Sequence, residues 1–295
     1  MKRYHVILTF FLAIVSGCDK PLTLDVDFEG EKPVIFSLIN PGEPIVIYVS
    51  KSGDPYQSGV YKNDNYITDA QVAATEDGEP FGSFVFNDVH LAYVGDSSFL
   101  PETGKEYRVI VETSQFGVIN SVPVVIPDTI SMEIEVINTG EYGGLGQISE
   151  ITFSFRDPIG KRNHYGYNLY PDDYGRNHSL HGFTWMIDQT FDEKCHFYRN
   201  GISSYGGSVF DDFCFDGLTL TLKVSSQIQG SAPFVFRFYF FDPDLFGYYK
   251  GLSLYNEAQF ESGYFEPVRV TGNVEGGYGI VAGFNYTERI VILGE

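Results

Sequence analysis

The run Phe234-Val-Phe-Arg-Phe-Tyr-Phe240 decides the fold class. Four phenylalanines at period two place bulky rings on one face of an extended strand, leaving Val235, Arg237 and Tyr239 on the other. A helix would scatter those rings around its circumference, so the pattern argues a β-sheet laid over an aromatic core. A ligand-stacking platform is the competing use of such a stripe, but core packing explains it without a ligand. Immediately downstream, Asp242-Pro243 offers an N-cap and a proline at the first helical position. Leu245, Tyr248 or Tyr249, Leu252, Tyr255 and Gln259 then recur at helical spacing. They predict one helix near 243–260, set against the edge or open end of the sheet.

The same alternation extends upstream through Ile130, Met132, Ile134 and Val136, then Ile151, Phe153 and Phe155. Tyr165, Tyr167 and Leu169 keep the rule, as do Leu218, Leu220, Leu222 and Val224. These runs predict a C-terminal β-sandwich over 128–295 that carries the helix. Shorter alternating runs at 33–39, 45–50, 70–75, 84–86, 90–94, 106–113 and 118–126 precede it, separated by turn signals such as Asn40-Pro-Gly and Asp77-Gly. Seven short strands predict an N-terminal immunoglobulin-like or transthyretin-like sandwich over 33–127, with the boundary at Pro127-Asp128-Thr129. Composition agrees with an all-β chain rich in turns: 26 Phe and 21 Tyr but one Trp, with 32 Gly. A formal net charge of −20 repels phosphates and anionic headgroups, which excludes nucleic acid as a partner.

The N-terminus sets the compartment. Lys2 and Arg3 precede an apolar stretch over 6–15, which ends in Val15-Ser16-Gly17-Cys18. The segment is too short to span a bilayer and reads as a signal peptide, 1–17. Its ending resembles the bacterial lipobox, which implies that Cys18 is acylated (palmitate among the chains) and becomes the first residue of the mature protein. Residues 18–32, polar and acidic, read as a flexible tether. The scattered acids Asp19, Asp25, Asp27, Glu29 and Glu31 resemble an export signal, so the expected location is the outer membrane, facing the cell exterior. Outside the cytoplasm a disulfide is permitted between Cys195 and Cys214. Closing that loop would add about 3 kcal/mol, the alternative being two separate buried thiols.

Reactive chemistry is sparse. Gly277-x-Gly279-x-x-Ala282 imitates a dinucleotide fingerprint without the βαβ unit that gives the motif its function. His178-x-x-His181, with Asp172 and Asp173 upstream, lacks helical support and a marked third ligand. No Gly-x-Ser-x-Gly elbow occurs. Asp211, Asp212, Asp216, Asp242 and Asp244 could ligate Ca²⁺ but are read as turn formers and a helix cap. The expectation is no enzyme, no cofactor and no metal. Asp128-Thr129-Ile130 resembles a short acceptor for O-glycosylation at Thr129.

The C-terminal stretch Phe265-Glu-Pro-Val-Arg-Val-Thr-Gly-Asn273-Val-Glu-Gly276-Gly277-Tyr-Gly279-Ile-Val-Ala-Gly283 resembles the closing signature of the domain of unknown function 4249 lipoproteins of Bacteroidota. Phe155-Arg-Asp157-Pro158-Ile-Gly160 with Asn163 and Tyr165, and Phe210-Asp-Asp-Phe-Cys-Phe-Asp216-Gly217, fit the same family in order. Val274 and the Val281-Ala282-Gly283 ending depart conservatively from the family's usual Ile and Phe-Gly-Gly. The resemblance implies an accessory lipoprotein encoded beside, and docked on, a TonB-dependent outer-membrane receptor in nutrient capture. It supplies no catalytic residues, and it leaves the glycine-rich ending as a set of tight turns rather than a site. A stand-alone ligand-binding or adhesion lipoprotein using Tyr142, Tyr174, Trp185 or Tyr205 is the alternative, and a hydrolase with dispersed carboxylates a third.

Overall fold

In the computed structural model, which describes residues 30–53, 65–143, 146–171, 185–187, 202–204, 207–228, 232–260 and 269–293, the period-two runs form strands of three sheets. The first part of the chain supplies β1 (Pro33–Ile39), β2 (Val46–Lys51), β3 (Gln71–Glu76), β4 (Glu79–Pro80), β5 (Phe84–Asn87), β6 (Ala92–Gly95), β7 (Glu106–Thr113), β8 (Gly117–Ser121) and β9 (Val124–Val125). There follow β10 (Met132–Gly143), β11 (Gly146–Arg156), β12 (His164–Pro171), β13 (Trp185–Ile187), β14 (Ile202–Ser204), β15 (Gly207–Asp211), β16 (Thr219–Ile228) and β17 (Ala232–Phe241). Helix α1 (Pro243–Phe260), β18 (Val274–Glu275) and β19 (Tyr278–Leu293) complete the fold. The protein is all-β with one helix among the described residues, and that helix is not apolar enough to cross a membrane.

A nine-stranded sheet runs β14-β15-β12-β17-β19-β1-β2-β6-β5. A four-stranded sheet, β10-β11-β16-β13, and a six-stranded one, β18-β8-β7-β3-β4 with β9 beside β7, complete the set. The phenylalanine stripe faces inward as its spacing predicts. Phe236 and Phe238 are wholly buried, with ring centroids 4.8 Å from Phe153 and 4.7 Å from Phe155 across the second core. In the first core Tyr107, Val109 and Val111 of β7 are all fully buried against Ile35, Ile47 and Val49. Alternation thus converts directly into two apolar interiors.

The last strand joins them. β19 pairs antiparallel with β17 and parallel with β1, from Val34↔Tyr278 to Ile39↔Gly283. Val281, with Val274 of β18, packs in the first core, whereas Val291 and Leu293 of β19 pack in the second. The core of 33–127 therefore includes side chains from the far end of the chain, and the described residues from Glu31 onward belong to one compact unit. The glycine-rich ending is less a set of turns than a close approach. A Cβ on Gly279 would stand 1.8 Å from the Ile35 carbonyl oxygen, and its φ of +111° suits only glycine.

Helix α1 lies over the outer face of the nine-stranded sheet rather than at its edge. Leu245 and Phe246 meet Phe36 and Leu38 of β1, Ile280 and Ala282 of β19, and Phe241 of β17. That face is apolar over its middle strands, so a helix must cover it.

Candidate functional site

Two loops and a linker converge beside the start of α1. The loop from β11 to β12 carries Asp157, Pro158, Lys161, Arg162 and Asn163, and the loop from β15 to β16 carries Asp212, Phe213 and Asp216. They are stapled together by carboxylates. Asp157 accepts hydrogen bonds from the Tyr165 hydroxyl, the Gly217 amide at 2.9 Å and the Asn163 side chain at 3.2 Å. Asp212 accepts the Asn163 amide at 2.7 Å, and Asp216 accepts the Gly160 amide at 2.7 Å. Gly217, at φ +73°, lets the second loop pass Ile159, which a Cβ would meet at 2.9 Å. Arg162 bridges to buried Asp211 at 2.6 Å and covers the Phe213 ring at 5.6 Å.

Below these loops opens a cleft of about 540 Å³. Pro123, Val125, Pro127, Ile130, Pro158 and Phe241 give it apolar walls, and Lys161, Arg162, Asp128 and Asp244 also line it. Its floor holds two buried ionisable groups. His164 stacks on Phe246 with centroids 4.6 Å apart, and burial lowers its pKa below the usual histidine value, against the pull of Asp211. Asp242 caps α1 by accepting the Leu245 amide at 2.7 Å and also accepts the Gly283 amide from β19. Burial pushes its carboxyl up to about 6, against the pull of those donors. The Asp212 carboxyl is likewise raised by burial, with Asp157 and Asp211 adding repulsion.

Chemically the cleft suits binding. No serine, threonine or cysteine is among its described lining residues, Asp242 is held as the helix cap, and Asp244 accepts the Asn273 side-chain amide at 2.8 Å. Asp157, Asp212 and Asp216 place oxygens within 4.8 Å of one another, a spacing a Ca²⁺ ion would accept, but what they hold here are amides and a phenol.

Thr129 is exposed on the linker beside the cleft, next to Asp128 in its wall. Cys214 is disulfide-bonded. Cys18 and Cys195 lie outside the described residues, as do His178, His181, Tyr174 and Tyr205, while the side chains of Tyr142 and Trp185 are not described. Local sequence marks Asp242 as a helix cap and gives no signal for Arg162 or His164. Their convergence depends on strand register, β12 lying between β15 and β17, which no local pattern encodes.

The two loop motifs and the glycine-rich ending that carry the resemblance are therefore spatial neighbours or structural joints. Domain of unknown function (DUF4249) matches residues 19–290. The chain belongs to the DUF4249 family. No curated protein matches it. Among solved structures, this DUF4249 chain is similar to the C-terminal domain of the Streptococcus agalactiae AgI/II polypeptide BspA, at 9% identity and a TM-score of 0.28, covering 90% of this chain and 99% of that one. It is also similar to the full-length major pilin SpaD from Corynebacterium diphtheriae, at 10% identity and a TM-score of 0.23, covering 91% of this chain and 66% of that one. Likenesses this distant carry no argument about role.

Proposed function

We propose that this DUF4249 protein is a lipid-anchored, non-catalytic outer-membrane accessory of a TonB-dependent receptor, assisting nutrient capture at the cell exterior. The observation that carries the non-catalytic part is the state of the carboxylates. Asp242 and Asp244 in the cleft wall, and Asp157, Asp211 and Asp212 in the loops beside it, all hold structural hydrogen bonds or an ion pair, which favours a binding wall over an acid and base poised for chemistry. Membrane attachment rests on the Val15-Ser16-Gly17-Cys18 ending, and the receptor rests on the family resemblance. The test is a mild-detergent pull-down of the tagged protein from native outer membranes, with mass spectrometry of its companions. A stoichiometric TonB-dependent receptor is the expected result; recovery of the lipoprotein alone, even after cross-linking, refutes the accessory role.

The apolar cleft favours a second reading, a stand-alone surface lipoprotein that binds its own ligand. Saturable binding of glycans or peptides by the purified protein, abolished by filling the cleft with Val125→Trp, would select that reading.

A further inference from the structure

Strand β10 borders the four-stranded sheet, and among the described residues it pairs with β11 alone. The pairing is regular from Met132↔Phe155 to Asn138↔Ser149 and shifts register only beyond Asn138. Its core-facing side chains are incompletely covered. Met132, Ile134 and Val136 are half-buried, whereas their β11 neighbours Phe155, Phe153 and Ile151 are at most 3% exposed. On the opposite face Glu133 and Glu135 are exposed, followed by Ile137 at 44% exposure.

An edge of this kind is normally blunted by proline, by charged side chains (lysine above all), by a bulge or by shortness. The other edge of the same sheet among the described residues is β13, Trp185–Ile187. From Met132 to Asn138, β10 has no proline, no lysine and no register shift. It presents a straight row of main-chain donors and acceptors beside a half-covered apolar flank. Charge on the outer face identifies what would cover it. One strand in, Glu150 of β11 is matched by Lys223 of β16 at 2.6 Å. Glu133 and Glu135 form no ion pair among the described residues, so the matching of acid with base stops at the free edge.

We propose that the β10 edge is a strand-addition site for an extended segment of a partner polypeptide in which Lys or Arg alternates with aliphatic residues. Main-chain hydrogen bonds to residues 132–138 would supply affinity. The aliphatic side chains would close over Met132, Ile134 and Val136, and the cations would face Glu133 and Glu135. A second copy of this chain is the poorer occupant. Antiparallel pairing of β10 with itself would set these glutamates against their own equivalents, within a pair of chains each carrying a net charge of −20. The strand begins just after Ile130 of the cleft wall but uses its main-chain edge rather than the cleft, and the proposal does not depend on the receptor role.

The test uses the full chain with a fluorescent heptapeptide, Lys-Val-Lys-Val-Lys-Val-Lys, capped at both ends. Two controls accompany it: the same peptide with Glu for Lys, and one of equal charge with proline at its centre. The lysine peptide is expected to bind saturably and to slow amide hydrogen exchange over 132–138. Both controls should bind at least about tenfold more weakly, given the loss of main-chain pairing or of charge matching. The double variant E133K/E135K changes only exposed side chains and should reverse the preference between the lysine and glutamate peptides. Equal binding of the proline peptide would reduce the effect to net charge and overturn the proposal. So would protection outside β10, no binding of the lysine peptide, or a concentration-dependent dimer that protects 132–138.

Discussion

Asp242 serves two elements with one carboxylate, capping α1 with one oxygen and holding the Gly283 amide of β19 with the other. Its folded-state pKa, raised by burial from 3.8 to about 6, fixes the sign of its pH dependence. The folded protein keeps this proton where the unfolded chain has lost it. The contribution to stability is therefore full below the unfolded value and is lost as pH rises through about 6. Asp242→Asn removes the titration. The difference in urea-unfolding free energy between the variant and the parent should move in the variant's favour by on the order of 2–3 kcal/mol between about pH 4 and about pH 7. A difference independent of pH would mean that the carboxyl titrates normally. Gly279→Ala should cost about 3 kcal/mol or more, or prevent folding, because its Cβ meets a paired backbone rather than a movable side chain. Thermal unfolding measures it. The cap at Asp242 was legible because Asp-Pro before a helical period is a local signal. The role of Gly279 was not, because its partner Ile35 is distant in sequence.

At the scale of elements, period two was a sufficient guide wherever both faces obeyed it. β1 and β7 have the bounds that alternation predicted, and α1 runs from the proline after its cap. The expected strand at 118–126 divides into β8 and β9 around Pro123, which has no amide to donate to a ladder. β19 escaped notice because Gly279 and Gly283 read locally as turns, although both lie within a sixteen-residue strand. The position of α1 also eluded the sequence, since which sheet face needs covering follows from topology. The aromatic stripe provides the sharpest test of packing. Phe238 is fully buried among Phe153, Phe155, Tyr165 and Phe240, so Phe238→Ala should lower unfolding free energy by about 3–5 kcal/mol. Chemical denaturation with an unchanged slope would attribute the loss to the native core, and a change below about 1 kcal/mol would contradict that packing.

For the whole molecule, composition and the N-terminal motif spoke about compartment, and periodicity about class. Neither disclosed the cleft, which forms where the linker at 123–130, a loop 30 residues later and the α1 cap meet. Such meetings depend on sheet order, and the order here is not sequential. Anchoring is an expectation that rests on the Val15-Ser16-Gly17-Cys18 ending. Cys18→Ser should move the protein from the membrane fraction to the soluble one without altering its unfolding curve; retention in membranes would refute the lipid anchor.

The parallel pairing of β1 with β19 also imposes an order of events. One edge of β1 pairs with the adjacent β2, but its other edge gains β19 only after nearly the whole chain has been synthesised. Pairing across so long a separation is slow to form. That edge of β1 therefore stays unpaired in a growing chain until residues 278–283 are made, so the pairing that ties the two cores together is among the last that synthesis makes available.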